Sequence, residues 1–125
     1  MRIEQFIAAR LADDEAVARK AADFPYDAPS DAPWVSMQLR VQRGVAMTSD
    51  EHFARHDPAR VLRQVAAMRA ILADHADDEG YCSRCWDGDS YAPASRMFPC
   101  PTIRSLAFVW SDHPEFHQTW ASNPL

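Results

Sequence analysis

Three cysteines and one histidine have the residue types and the spacing of a metal site. His75 ends a helix-like run, Cys82 and Cys85 stand three positions apart, and Cys100 follows after 14 intervening residues. Zinc favours thiolate and imidazole ligands in a closed tetrahedral site when its role is structural. We therefore predict a structural Zn²⁺ site formed by Cys82, Cys85, Cys100 and His75, which would join both ends of the long connection after Cys85.

Redox-active or inert thiols are the alternative interpretation of the cysteine pair, because a Cys-x-x-Cys motif also occurs in redox proteins. A thioredoxin-like pair lies at a strand-to-helix junction in a βαβ context, and the sequence offers no such context. The third cysteine favours metal ligation. The zinc-deaminase pattern, H-x-E with P-C-x-x-C, is absent, since Ala76 and Asp77 follow the histidine and Tyr81 precedes the first cysteine.

The fourth ligand has two candidates. His75 lies three residues after Leu72 on the apolar stripe of a predicted helix, so its ring should face the interior. A buried histidine hydrogen-bonded to a carbonyl would fit that position as well. His113 is the rival ligand, although a straight helix from Cys100 would carry it roughly 20 Å away.

Three helical segments are predicted to position these residues. Residues 2–24 have apolar side chains near helical spacing, and residues 57–75 follow Asp57-Pro58, where an N-cap residue precedes a proline that is well tolerated at the first helical position. Cys100-Pro101 opens a third helix, and a last short turn or helix ends near Trp120. The expected apolar positions of the first two helices are Ile3, Phe6, Ile7, Leu11, Val17, Ala21, Val61, Val65, Met68, Leu72 and His75.

The remaining segments predict a strand and loops. Residues 35–42 alternate strictly between apolar and polar side chains, with a turn at Arg43-Gly44 and a short return strand, and Ser49 can cap a short helix. Residues 86–99 form a loop. The predicted fold is mainly α (α+β), with three to four helices and a short β-hairpin, held as a single domain over residues 1–125 by the zinc site.

Composition places the chain among ordinary globular proteins. Its 125 residues are 47% hydrophobic and 25% charged, which permits one buried core. The sequence contains no run of about 20 apolar residues and its N-terminus carries acids where a signal peptide is apolar, so we expect a cytoplasmic protein without a membrane partner. Thiols stay reduced in that compartment, which favours ligation over a disulfide.

Arginines make the middle third of the chain basic, although the net charge of the whole is −5. Overall acidity argues against a dedicated nucleic-acid binder, but a phosphate-contacting face could have this pattern. A solvated helix surface paired to acidic flanks is the favoured interpretation. The arginines concerned are Arg40, Arg43, Arg55, Arg60, Arg63 and Arg69.

Four segments together resemble a known family: "FIAARLADDEAVAR", "HFARHDPARVLRQVAAMRAILADH", "CSRC" and "PCPTIRSLAFVWSDHPEF". They are similar to small uncharacterised proteins of actinobacteria and their phages that share a domain of unknown function. The resemblance implies that the helix-ending histidine, the cysteine pair and the later Cys-Pro recur together, at His75, Cys82, Cys85 and Cys100 of this chain. It implies no activity.

These patterns favour a non-enzymatic, zinc-stabilised domain that binds or regulates a protein partner. The partner could be a second copy of the same chain. Two other functions stay open. One is a nucleic-acid-binding accessory protein that uses the arginine-rich middle third, and the other is a zinc metalloenzyme with three cysteine ligands and an open fourth position.

Overall fold

Helices dominate the part of the chain that the computed structural model describes, which is residues 1–23 and 55–121. Within these ranges it has three α-helices and one two-stranded antiparallel hairpin, so the predicted fold class is confirmed. No helix there combines the length and the apolarity that a membrane span requires. The elements are α1 (Ile3–Ala22), α2 (Pro58–Asp74), β1 (Asp77–Asp78), β2 (Tyr81–Cys82), a 3₁₀ helix (Ala94–Arg96), α3 (Pro101–Phe108) and a second 3₁₀ helix (Gln118–Trp120).

The chain separates into two compact units. One unit comprises Met1–Ala12 together with the chain from Ala66 onward, and the other comprises Asp13–Val65. All four predicted metal ligands belong to the first unit. The single domain over residues 1–125 stays a prediction.

Helix α1 is amphipathic, as its sequence predicts. Its N-terminal half buries four apolar side chains, namely Ile3, Phe6, Ile7 and Leu11. The expected position Val17 is wrong, because its side chain is 70% exposed while Ala18 is buried. Seven residues after Leu11 complete nearly two turns, which returns the same face at Ala18 and leaves Val17 on the solvent side.

Helix α2 begins where the sequence predicts. The Asp57 carboxylate accepts a hydrogen bond from the Arg60 amide at 2.8 Å, and Pro58 occupies the first helical position. An N-cap aspartate satisfies an amide that has no partner within the helix. Of the predicted stripe, Val65 is buried, and its other members, Val61, Met68, Leu72 and His75, are half-buried.

The β-hairpin lies at a different place from the predicted one. The predicted strand over residues 35–42, the turn at Arg43-Gly44 and the helix capped by Ser49 fall outside the described residues. In the hairpin that is described, Asp77 pairs with Cys82 and Asp78 pairs with Tyr81.

A tight two-residue loop closes this hairpin. Glu79 and Gly80 both have positive φ, at 52° and 90°. Two consecutive positive φ values match the twist of antiparallel strands, and glycine adopts them without strain.

Helix α3 starts at a cysteine and a proline, as predicted. Cys100 is its N-cap residue and Pro101 its first residue, and Ile103 and Ala107 are fully buried. The predicted final element is a single 3₁₀ turn, in which the His117 ring accepts a hydrogen bond from the Thr119 amide at 3.3 Å.

An aromatic cluster fills the core of the first unit beside α1. The Phe6 ring lies 5.7 Å from the His113 ring, 6.0 Å from Phe116 and 5.1 Å from Trp120, measured between centroids. Phe6 is fully buried, and the Arg10 guanidinium lies 5.5 Å from its ring centroid. Tilted and edge-to-face ring pairs of this kind add to the stability gained by apolar burial.

Candidate metal centre

His75, Cys82, Cys85 and Cys100 converge on one point, and we call them the Cys3His cluster. Their ligand atoms all lie within 4.8 Å of one another. The His75 Nδ1 atom is 3.3 Å from the Cys82 Sγ, 3.6 Å from the Cys85 Sγ and 3.5 Å from the Cys100 Sγ. The four residues are thus positioned to form a metal site.

The spacing of these atoms fits a tetrahedral ion. With metal–sulfur bonds of about 2.3 Å and metal–nitrogen bonds of about 2.1 Å, a regular tetrahedron separates nitrogen from each sulfur by about 3.6 Å. The three nitrogen–sulfur distances are 3.3 to 3.6 Å. Ligand atoms at this separation can share one small cation without rearrangement of the backbone.

The end of α2 positions His75. The His75 amide donates to the Ile71 carbonyl at 3.1 Å, which continues the helical hydrogen bonding by one residue. The Ser83 hydroxyl then fastens this end to the cysteine pair, because it donates to the Asp74 carbonyl and accepts from the Ala76 amide, both at 3.0 Å. One side chain between the two cysteines therefore holds the backbone on both sides of the histidine.

A tight turn positions Cys82 and Cys85. The Trp86 amide donates to the Cys82 carbonyl at 3.0 Å, which closes the turn around the pair. The Trp86 ring also stacks on Tyr81, with centroids 4.5 Å apart and planes inclined by 21°. The residues immediately before and after the pair thus pack against each other and limit the freedom of both thiols.

The loop over residues 86–99 returns to the hairpin before it delivers Cys100. The Phe98 amide donates to the Gly80 carbonyl at 2.9 Å, and Tyr81 and Met97 form an isolated antiparallel bridge. Cys100 follows as the N-cap residue of α3 and is fully buried. The loop thus brings the Cys100 thiol to the other three members of the Cys3His cluster.

Within the cluster, Cys82 loses its proton more easily than a free thiol, and Cys85 loses its proton less easily. Burial opposes ionisation of Cys82, but the backbone amides of Cys85 and Arg84 hydrogen-bond its sulfur and, with the neighbouring thiols, lower its pKa. Burial and the sulfurs of Cys82 and Cys100 raise the pKa of the Cys85 thiol to about 12. Three thiolates at this separation need a cation to offset their repulsion.

The other predicted site residues lie elsewhere or have other contacts. His113, the rival fourth ligand, has its Nδ1 atom 2.9 Å from an Arg10 nitrogen and its ring against Phe6, in the aromatic cluster. The three cysteines are free thiols, and no disulfide joins them. Among the predicted arginines, Arg40 and Arg43 fall outside the described residues.

Ser83 helps to position the Cys3His cluster in a way that the sequence does not reveal. Its position between the two cysteines is its sole local signal, and many serines in such positions contact solvent alone. Its role depends on the Asp74 carbonyl and the Ala76 amide, which the fold brings to it. By holding the backbone on both sides of His75, these two hydrogen bonds limit where its ring can lie.

Comparison with known proteins places this chain in a family. No curated protein and no solved structure matches it. A family model does match, over residues 1–122, and that range includes every member of the Cys3His cluster. The origin in actinobacteria and phages and the shared histidine and cysteine pattern stay predictions. Because the match extends over nearly the whole sequence, the chain belongs to DUF6221, a family of unknown function.

Proposed function

We propose that the Cys3His cluster binds one Zn²⁺ ion in a closed structural site, with His75 ligating through Nδ1. The observation that carries this proposal is the convergence of three sulfurs on one imidazole nitrogen at 3.3 to 3.6 Å. Soft thiolate ligands with one imidazole suit zinc, whereas magnesium and calcium require oxygen ligands. None of the four donors is an oxygen atom.

A structural role is favoured over a catalytic one. Four protein donors complete a tetrahedron, so no position remains for the water molecule that a catalytic zinc activates. Cys82 and Cys100 are fully buried, which further restricts access of a substrate to the ion. In this arrangement the ion supplies folding free energy and polarises no substrate.

Metal analysis of the tag-free protein tests the proposal. We expect one zinc ion per chain and, after replacement by Co²⁺, the intense thiolate-to-cobalt absorption of a tetrahedral site. Cys82→Ser, Cys85→Ser, Cys100→Ser and His75→Ala should each lower zinc affinity by orders of magnitude, because each removes one ligand. His113→Gln is the matched control, since it changes the rival histidine and should keep full occupancy.

Two results would overturn this assignment. One is a native protein without stoichiometric zinc, which would rule out the proposed zinc site. The other is a His75→Ala variant that keeps zinc as tightly as the unmodified chain, which would open the fourth position and revive the metalloenzyme alternative.

We infer further that this zinc-stabilised domain acts by binding a protein partner in the cytoplasm, where its thiols would stay reduced. The end of α3 supports this role. Phe108 and Val109 are adjacent and each 56% exposed. Two adjacent exposed apolar side chains would lose contact with water if a protein partner covered them.

The double substitution Phe108→Ser and Val109→Ser tests that surface. We expect the variant to keep its zinc and its thermal stability, and to lose either self-association in sedimentation velocity or the binding of a partner identified with the unmodified protein. A variant that retains every such association would show that the apolar pair is not the contact surface.

Nucleic-acid binding stays the second candidate. Its support is that Arg55, Arg60, Arg63 and Arg69 are all exposed. A mobility shift that weakens steeply with salt would favour it, because neutralised phosphates release counterions.

A further inference from the structure

The imidazole of His75 has a second nitrogen, Nε2, which takes no part in the contacts with the three sulfurs. Nδ1 faces the three sulfurs, so Nε2, on the other side of the ring, points away from them. A histidine that binds a metal through one nitrogen carries a proton on the other and almost always donates it to a carboxylate, a carbonyl or a water molecule.

The carboxylate of Glu4 has an oxygen atom that lacks a hydrogen-bond donor. Its Oε1 atom pairs with the Arg2 Nε at 2.5 Å, but its Oε2 atom is buried and has no hydrogen-bond partner. A buried carboxylate oxygen without a donor is costly, and native proteins usually satisfy it.

The two groups border the same cavity. A cavity of about 390 Å³ lies between the first turns of α1 and the end of α2, and Glu4, Leu72, His75 and Phe98 are among the residues that line it. Arg2 forms an ion pair with Asp77, so the start of α1 is held beside the hairpin that carries Cys82.

We propose that Glu4 is a positioning residue of the metal site, whose side chain turns so that the Oε2 atom, which has no donor in the structure, accepts the Nε2–H hydrogen bond of His75 across this cavity. The proposal rests on zinc ligation by His75 Nδ1. A carboxylate at Nε2 fixes the tautomer of the ring and increases the basicity of the ligating nitrogen. The N-terminal helix, remote in sequence from the ligands, then tunes the affinity for the ion.

Variants of Glu4 test the proposal through zinc affinity, measured by competition with a chromophoric chelator. Glu4→Ala should weaken binding about tenfold or more, and Glu4→Gln should have an intermediate effect, since its amide oxygen still accepts a hydrogen bond without a charge. Asp78→Asn is the control, because it removes one nearby exposed carboxylate and should leave the affinity unchanged.

Nitrogen-15 NMR of the His75 ring separates this role from a general loss of stability. In the unmodified zinc-bound protein the Nε2 proton should exchange slowly with water, and in Glu4→Ala it should exchange at least about tenfold faster while the Nδ1 shift still reports the metal bond.

Unchanged affinity and unchanged Nε2–H exchange in Glu4→Ala would overturn the role of Glu4 and leave the zinc site intact. An unmodified protein whose Nδ1 carries no metal signature would overturn the zinc site and, with it, the role of Glu4.

Discussion

The Cys3His cluster and the aromatic cluster stabilise neighbouring parts of one compact unit by opposite means. The aromatic cluster is complete without a ligand, since Phe6 is fully buried and three other rings surround it. The Cys3His cluster instead places three sulfurs beside one imidazole nitrogen, and the sulfurs repel one another when they are ionised as thiolates. Apolar contact therefore stabilises the first region, whereas the second would gain stability from a bound cation.

Because of this difference, we expect the two clusters to respond differently to metal removal and to pH. Apolar burial depends little on metal or pH, whereas thiolate ligation depends strongly on both. The stability of the two regions can therefore be changed separately, and each of the following experiments acts mainly on one of them.

Removal of the metal should have the largest effect. Structural zinc contributes apparent binding free energies of about 10–16 kcal/mol in small peptides, comparable with the stability of a whole domain. In the presence of a strong zinc chelator, amides of residues 75–104 should lose hydrogen-exchange protection, while those around Phe6 in α1 retain most of theirs. Equal loss of protection in both regions would show that they unfold as one.

Phe6→Ala should have the next largest effect, and on the other region. Truncation of a buried phenylalanine costs about 3–5 kcal/mol through lost burial and a residual cavity. Chemical denaturation should report this loss in the zinc-loaded protein, and metal analysis should still find one ion per chain. Loss of zinc in the folded variant would contradict the independence of the two clusters.

High pH should destabilise the metal-free protein. The pKa of the Cys85 thiol rises from 9.0 to about 12 on folding, so the folded state holds this proton more tightly than the unfolded chain does. The corresponding stability is complete below pH 9 and is lost as the pH rises towards about 12.

Thermal unfolding of metal-free and zinc-loaded samples measures this effect. We expect a falling midpoint above pH 9 in the metal-free protein alone, since the cation stabilises the thiolate in the loaded form. The metal-free Cys85→Ala variant is the control and should lack this additional slope. The same slope in that variant would assign it to another group.

Ser83→Ala should reduce zinc affinity about tenfold or more, with little effect on the aromatic cluster. The substitution removes the hydroxyl that holds the backbone on both sides of His75. Chelator competition measures the affinity, and Ser105→Ala, on the exposed face of α3, is the control. Equal affinity in all three proteins would show that the ligands are positioned without this hydroxyl.

Arg84→Ala should have the smallest effect, although Arg84 is also between the two cysteines. Its ion pair with Asp74 is exposed, at 67% and 51% of the two side chains, and such pairs contribute less than about 1 kcal/mol. Zinc affinity and the unfolding midpoint should both stay close to those of the unmodified protein. A loss as large as that of Ser83→Ala would contradict the distinction between these neighbours.

Local signals explain what the sequence predicts correctly. The starts of α2 and α3 are each set by a proline at the first helical position, and Asp57 also caps α2 through its carboxylate. This chemistry operates within one turn. The convergence of His75, Cys82, Cys85 and Cys100 is also predictable, because metal ligands have characteristic residue types and spacing.

Features that depend on distant contacts could not be predicted. The hairpin of Asp77–Asp78 and Tyr81–Cys82 has strands of two residues, too short for an alternation pattern, and its position depends on the return of Phe98 to Gly80. The aromatic cluster joins Phe6 to His113 across most of the chain, and no local pattern relates the two. The choice of Ala18 over Val17 on α1 is different, because it follows from local helical periodicity counted from Leu11.

The loop over residues 86–99 has a practical consequence for protein engineering. Backbone hydrogen bonds hold both of its ends, from Trp86 to Cys82 and from Phe98 to Gly80, while Tyr91 near its middle is 93% exposed. Doubling the length of a closed loop costs only about 0.6 kcal/mol. A fluorophore or an affinity tag inserted at Ser90-Tyr91 should therefore leave the fold intact, which offers a handle that touches neither cluster.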